Sequence, residues 1–439
     1  MQNFTYKIAI ILFFAISLGY AQQEKGIYGT ENWLSNWTDF QPEKEEYDEP
    51  TVILRGNISE DTTLKKREVY LLNGSVFVTN NAVLTIEPGT VILGDFDTKG
   101  SLTITKGASI IADGVETDPI IFSSNRGVKR AGDWGGLMIL GEAPTSNYGN
   151  GAMSTFHNNI SSESYANLVY GGENINSTSG IMKFVRVEYA GKRNREEGYS
   201  NGILLAGVGK ETILENIMVS FSGGDSFEIW GGNVILERLI SYKANGNDFH
   251  FNYGTQGDLK NSLAVRSPYV SDRNGSRALA IKSYDKREEF DFSKKLTSLN
   301  AHNLTILNQT DKLKEEIEMG LISEGVYVGK DVSLNMQKGV ISGFNPAVKF
   351  EKGMQPTQQS LEKIRFTSMY FNNCNGNIYI DNNPNNDDLE NWYGNRAFYN
   401  VYSKSPNFET FINITDEKRP DYRLRINRII TANDKEIDD

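Results

Sequence analysis

Cysteine, proline and histidine are scarce in this chain, and each scarcity removes a class of protein. A single cysteine, Cys374, among 439 residues rules out an intrachain disulfide framework and any cysteine metal cluster. Eleven prolines are too few for a proline-rich linker. His157, His250 and His302 lie far apart, with neither an HExxH spacing nor a triad order, so zinc and serine hydrolase chemistry has no support. Positive charge is short as well. A net charge of −11 lacks the basic footprint of a nucleic-acid binder. No GxxxxGK[ST] cradle for phosphates is present, and past the first twenty residues no apolar run is long enough to span a bilayer.

The first residues have a different character. MQNFTYK supplies Lys7, IAIILFFAISL is a short apolar stretch, and Gly19-Tyr20-Ala21 is a small-x-small cleavage site. This pattern predicts a secretory signal peptide over 1–21 and an exported product, periplasmic or at the cell surface. No cysteine stands at the cleavage point, so a lipid anchor is not expected.

Glycine is plentiful, with 41 residues, and it punctuates short alternating apolar runs. From Ala82 to Leu140 these runs recur every 18 residues: Leu84 and Ile86, Leu102 and Ile104, Ile120 and Phe122, Met138 and Leu140. From Thr212 the step is 22, with Ile213, Leu214, Glu215, Phe227 and Ile229 falling on Ile235, Leu236, Glu237, Phe249 and Phe251. Period-two alternation places one set of side chains on one face of a strand. Repeats too small to bury that face alone must stack. The expected fold is all-β, a parallel β-helix with polar loop insertions and capped ends, right-handed by the preference of parallel crossovers.

Residues 22–50, with Trp33, Trp37, Phe40 and Tyr47, read as an aromatic and acidic segment covering an open end of the solenoid. Regular coils are expected over 51–285 and less regular coils over 286–430. TDKLKEEIEMG and TQQSLEK are expected as short surface helices within the latter, and an acidic tail fills 431–439.

Candidate chemistry concentrates in two stacked turns, Ser222-Gly-Gly-Asp225-Ser-Phe-Glu228 and Asn245-Gly-Asn247-Asp248-Phe-His250. The 22-residue offset sets Asp225 over Asn247, Ser226 over Asp248 and Glu228 over His250. Such oxygens can gather a hard cation, and Asp225 with Asp248 is the pair expected to hold calcium if any does. Tight turns also require Asp, Asn and Gly for conformational reasons alone. Trp134, within GDWGGLMILG, and Trp392, in an aromatic-rich C-terminal region, join Glu228 and His250 as candidate ligand-binding residues.

Several of these pieces together resemble secreted right-handed β-helix proteins of Bacteroidota: NWLSNWTDFQPEKEEY, VYLLNGSVFVTNNAVLTIEPGTVILG, GDWGGLMILGEAP, VEYAG, and FSGGDSFEIWGG followed by NGNDFHFN. They cover residues 32–266. The resemblance implies an exported protein, often found with TonB-dependent outer-membrane receptors, and it brings no catalytic residues with it. The preferred expectation is therefore a non-catalytic binding or accessory protein at the outer membrane, with a glycan or such a receptor as partner and no required cofactor. The alternative is a calcium-assisted polysaccharide lyase. In that reading Asp225 and Asp248 would hold the ion and Arg266 or Lys282 would abstract the proton.

Overall fold

The computed structural model describes residues 25–148, 162–194, 198–271, 276–381 and 386–425. The expected signal peptide, His157 and the acidic tail lie outside the described residues. Strands stack in parallel, each pairing with its equivalent one coil further on, and they line three faces of a solenoid. The first face runs through Val83–Ile86, Ser109–Asp113 and the start of Gly180–Glu188 to Ile364–Thr367. The second runs through Val91–Gly94, Ile120–Ser124 and the end of Gly180–Glu188 to Val401–Ser403. The third runs through Ser101–Ile104, Gly136–Leu140, Ile203–Ala206, Phe227–Trp230 and Phe249–Asn252 to Ile378–Ile380. This is the expected parallel β-helix, and the pairing is consistent with a right-handed coil.

Inward positions form continuous apolar ladders. Along the third face they are Leu102, Leu137, Ile203, Phe227, Phe249, Leu279, Val326 and Val348, all buried in one core. Phe227 and Phe249 stack with ring centroids 5.4 Å apart. Each such side chain contributes about 1.5–3 kcal/mol when fully buried. Where long strands bend from the first face to the second, one residue per coil takes a positive φ: Phe184, Asn216, Arg238, Asn261, Asn303, Lys338 and Ser368. Asn accepts this conformation readily, whereas Phe and Arg are held there by the paired strands on either side.

The 22-residue repeat is a true coil, since Leu214 pairs with Leu236 and Phe227 with Phe249. The 18-residue recurrence is not. Leu84 pairs with Ile110 and Leu102 with Leu137, so an 18-residue step moves the chain to a different face instead of completing a turn. The parity at the end of that series also differs from expectation. Leu137 and Ile139 enter the core, while Met138 and Leu140 lie outside it, beneath Leu168 and Tyr170.

The N-terminal segment is a strap and not an end cap. It runs along the outside of the second face against the coil order. Gly26 donates to Lys338 O, Ile27 to Thr305 Oγ1 and Tyr28 to Asn261 Oδ1. Further along, Phe40 packs on Tyr242, Trp37 on Phe184, and Tyr47 donates to Glu188 Oε2. The outward side of the second face is apolar at Met218, Ile240, Leu263, Val265, Leu307 and Val340, and Ile27, Leu34, Trp37 and Phe40 bury it. Phe411, Tyr422 and Leu424 join the same cluster from the C-terminal antiparallel pair Phe411–Asn413 and Asp421–Leu424. The first strand, Val52–Ile58, pairs only with Val69–Val78 among the described residues and leaves Ile53 exposed.

The other end is closed by the helix Asn386–Tyr393, which inserts Leu389 and Tyr393 into the core. Both expected surface helices form, at Leu313–Glu318 and Gln358–Leu361.

Candidate functional site

The two stacked turns precede the strands Phe227–Trp230 and Phe249–Asn252, and Glu228 pairs with His250 across them as the offset requires. Both project from the outer side of the third face, yet both are buried. His250 Nδ1 lies 2.9 Å from Asp225 Oδ2 and 3.2 Å from Glu228 Oε1. The remaining carboxylate oxygens are also engaged. Asn247 donates to Asp225 Oδ1 from its backbone N (2.6 Å) and from Nδ2 (3.0 Å). Asn201 Nδ2 donates to Glu228 Oε2 at 2.5 Å. Gly246 is required here, because a Cβ would strike Asp225 Oδ1 and the Gly224 carbonyl carbon.

Burial alone would lower the His250 pKa, but its hydrogen bonds to both carboxylates and their charges raise it to about 10. Burial opposes ionisation of Asp225 too. The His250 hydrogen bond and charge, with the Asn247 donors, nevertheless hold that carboxyl below its ordinary range. The group is an imidazolium clasped by two carboxylates.

Asp248 has a different surrounding. It is fully buried at the interior corner between the second and third faces, with Ser241 donating to Oδ1 and Arg266 Nη1 lying 2.9 Å from Oδ2. Burial pushes its carboxyl up to about 6 against the pull of Arg266. Arg266 also donates to the carbonyls of Gly246 and Ala244, which close the turn. Asp225 and Asp248 therefore do not converge on one ion, and Arg266 is not a base beside the outer cluster. The expected calcium pair and the Arg266 role are both corrected, because adjacent turn positions point to opposite sides of the wall.

Asp225, Glu228 and His250 do offer ligand atoms within 4.8 Å of one another. One nitrogen with two already hydrogen-bonded carboxylates is a poor match for calcium, which takes six to eight oxygens.

Lys282 follows the third-face strand Leu279–Ile281 and lies outside the wall, 3.1 Å from Asp285 Oδ1. Asp285 accepts from Asn252 Nδ2 and the Tyr253 hydroxyl. From there the outer row of the third face continues through Tyr327, Lys349 and Tyr379 on successive coils. Arg277 stacks 4.9 Å over Tyr327, and Lys349 lies 2.9 Å from Asp381. Tyr379 is 42% exposed. The result is a ladder of half-exposed aromatic rings and charged groups one strand spacing apart.

Trp134 is fully buried and stacks on Phe122, with Nε1 donating to Glu188 O. It is a core residue and cannot meet a ligand. Trp392 is half-buried in the end-capping helix, packed on the core and tilted against Phe398. Sequence reasoning missed Asn201, Asp285, Tyr327 and Lys349, whereas Tyr379 belongs to the aromatic-rich C-terminal region that the sequence offers as a contact surface. Alternation within GVYVG and GNIYID marks the tyrosines as outward, but which coil faces they share depends on loop lengths that carry no period.

A family model described as a pectate-lyase like beta helix domain matches residues 56–404. The chain belongs to that family. The pectate-lyase-like span takes in all three faces and both stacked turns, and it leaves out the strap. Among solved structures, the A-module of the Azotobacter vinelandii mannuronan C-5 epimerase AlgE6 aligns over 75% of this chain and 77% of its own length, at 12% identity and a TM-score of 0.24. No curated protein matches the chain. Among the described residues no helix is long and apolar enough to cross a membrane.

Proposed function

We propose that this pectate-lyase-like protein is a non-catalytic glycan-binding protein that holds a polysaccharide along the outer row of the third face. The observation that carries this reading is that the carboxylates of the acid–histidine group are all paired inside the protein. Every carboxylate oxygen of Asp225 and Glu228 has a partner inside the protein, and both carboxylates reach the same nitrogen, Nδ1, of His250, whose Nε2 is buried without a partner among the described residues. General acid–base chemistry needs a group able to exchange its proton with a substrate near neutral pH. His250, raised to about 10, and Asp225, held below its ordinary range, do not meet that requirement, whereas the half-exposed row Tyr327, Lys349 and Tyr379 offers rings and charges to a chain lying across successive coils. Family membership supports a polysaccharide-related role without distinguishing binding from cleavage.

The apolar N-terminal run and the Bacteroidota resemblance support a working place outside the cytoplasm, at the outer membrane, with a TonB-dependent receptor as partner. Two experiments test the reading. Glycan binding is measured on a panel of acidic and neutral polysaccharides, with Tyr379→Ala as the control. The tagged chain is also used to capture partners from solubilised outer membranes. A chain that binds no polysaccharide on the panel defeats the glycan part, and capture of no receptor defeats the partner part.

A further inference from the structure

A second polar region lies on the third face two coils before the acid–histidine group. The hairpin formed by Arg193–Asn194 and Gly198–Tyr199 folds over the wall beside Gly135, and Ser200 Oγ donates to Gly135 O at 3.0 Å. Lys192, at its base, is 6% exposed. Among the described residues its ammonium makes one hydrogen-bonding approach, 3.5 Å to Lys99 O, and no carboxylate pairs with it. The neighbouring cation is Lys99, whose ammonium sits 4.1 Å over the Phe96 ring. Burial and the Lys99 charge both act against the charged form of Lys192.

Two hydroxyls on the same stretch of wall are also without partners among the described residues. Ser101 Oγ and Thr103 Oγ1 are buried, accept no hydrogen bond and donate none. They alternate with inward Leu102 and Ile104, so both face the covered outer side. The parts are packed closely: a Cβ on Gly135 would sit 2.5 Å from Ser101 Cβ and 3.1 Å from Lys99 O, and Lys192 N donates to Trp134 O. A buried ammonium without a counter-charge costs several kcal/mol, and so in smaller measure do unmade hydroxyl bonds.

We propose that this corner is an oxyanion site, in which Lys192 and Lys99 neutralise one carboxylate or sulfate group and Ser101 and Thr103 donate to it. The group is a free inorganic anion or the acid function of a sugar. The site does not depend on glycan binding along the outer row, which lies on later coils.

The test is a titration of the purified full chain with sodium sulfate and, separately, sodium galacturonate, against sodium chloride at constant ionic strength. The readouts are the melting temperature and calorimetric heat. A saturable rise with either anion is expected. It should be weakened at least about tenfold by Lys192→Met and largely retained by Lys192→Arg. Saturation by sulfate alone assigns a free inorganic anion, and tighter saturation by galacturonate assigns an acidic sugar. Should Lys192→Met fail to fold, Lys99→Met and Thr103→Val decide, each expected to weaken binding by a few-fold. No saturable rise in the native chain, or native affinity in these variants, overturns the proposal.

Discussion

One coil wall carries two buried charge groups, and they solve the problem of burial in different ways. Asp248 and Arg266 sit inside the corner, where one guanidinium serves both a carboxylate and the turn carbonyls of Ala244 and Gly246. Asp225, Glu228 and His250 sit outside the wall, where two carboxylates share one imidazolium and amides hold the outer oxygens. The inner pair ties one turn closed. The outer group ties three chain segments together, because Asn201 comes from the hairpin side and Asn247 from the next coil. In both cases the charges are consumed by structure, so the Asp, Asn and Gly of these turns serve the solenoid before any ligand.

The inner pair is the more sensitive to loss of its cation. Arg266→Met leaves Asp248 buried without its cation and is expected to lower stability by about 3–5 kcal/mol, read as a shift of the denaturant midpoint. His250→Gln removes the positive member of the outer group. It is expected to cost about 2–4 kcal/mol, less than Arg266→Met because this group lies nearer solvent.

The pH dependence sharpens the distinction. His250 titrates at about 10 in the folded chain, above its unfolded value near 6.5. Its contribution is therefore complete below about pH 6.5 and is lost as pH rises toward 10. Thermal melts of the native chain should show that decline, and His250→Gln should flatten it. The smallest effect on stability is expected at the exposed row. Tyr379→Ala should change stability by no more than about 0.5 kcal/mol while weakening polysaccharide binding by about three- to tenfold, corresponding to roughly 0.5–1.5 kcal/mol for one ring.

The legibility of this chain followed the regularity of its loops. Where coils repeat every 22 residues, the sequence placed Glu228 on His250 and Asp225 beside Asn247 as the structure has them. It could not show that Asp248 turns inward while Asp225 turns outward, since both are turn residues with the same composition around them. Where loops differ in length, the recurrence at 18 residues joins strands from different faces, and it lands on Met138 where Leu137 is the residue that enters the core. The strap was illegible for another reason. Trp37 and Phe40 bury themselves against Phe184 and Tyr242, contacts 147 and 202 residues apart in sequence and marked by no period.

The most direct measurement incubates the chain with each polysaccharide that it binds and follows polymer length and unsaturated ends over time, beside the Tyr379→Ala and His250→Gln variants. The account predicts binding that weakens in Tyr379→Ala, with polymer length unchanged by the native chain. Shortening of the polymer or new unsaturated ends, abolished in a folded His250→Gln variant, would contradict it and make the acid–histidine group a catalytic centre.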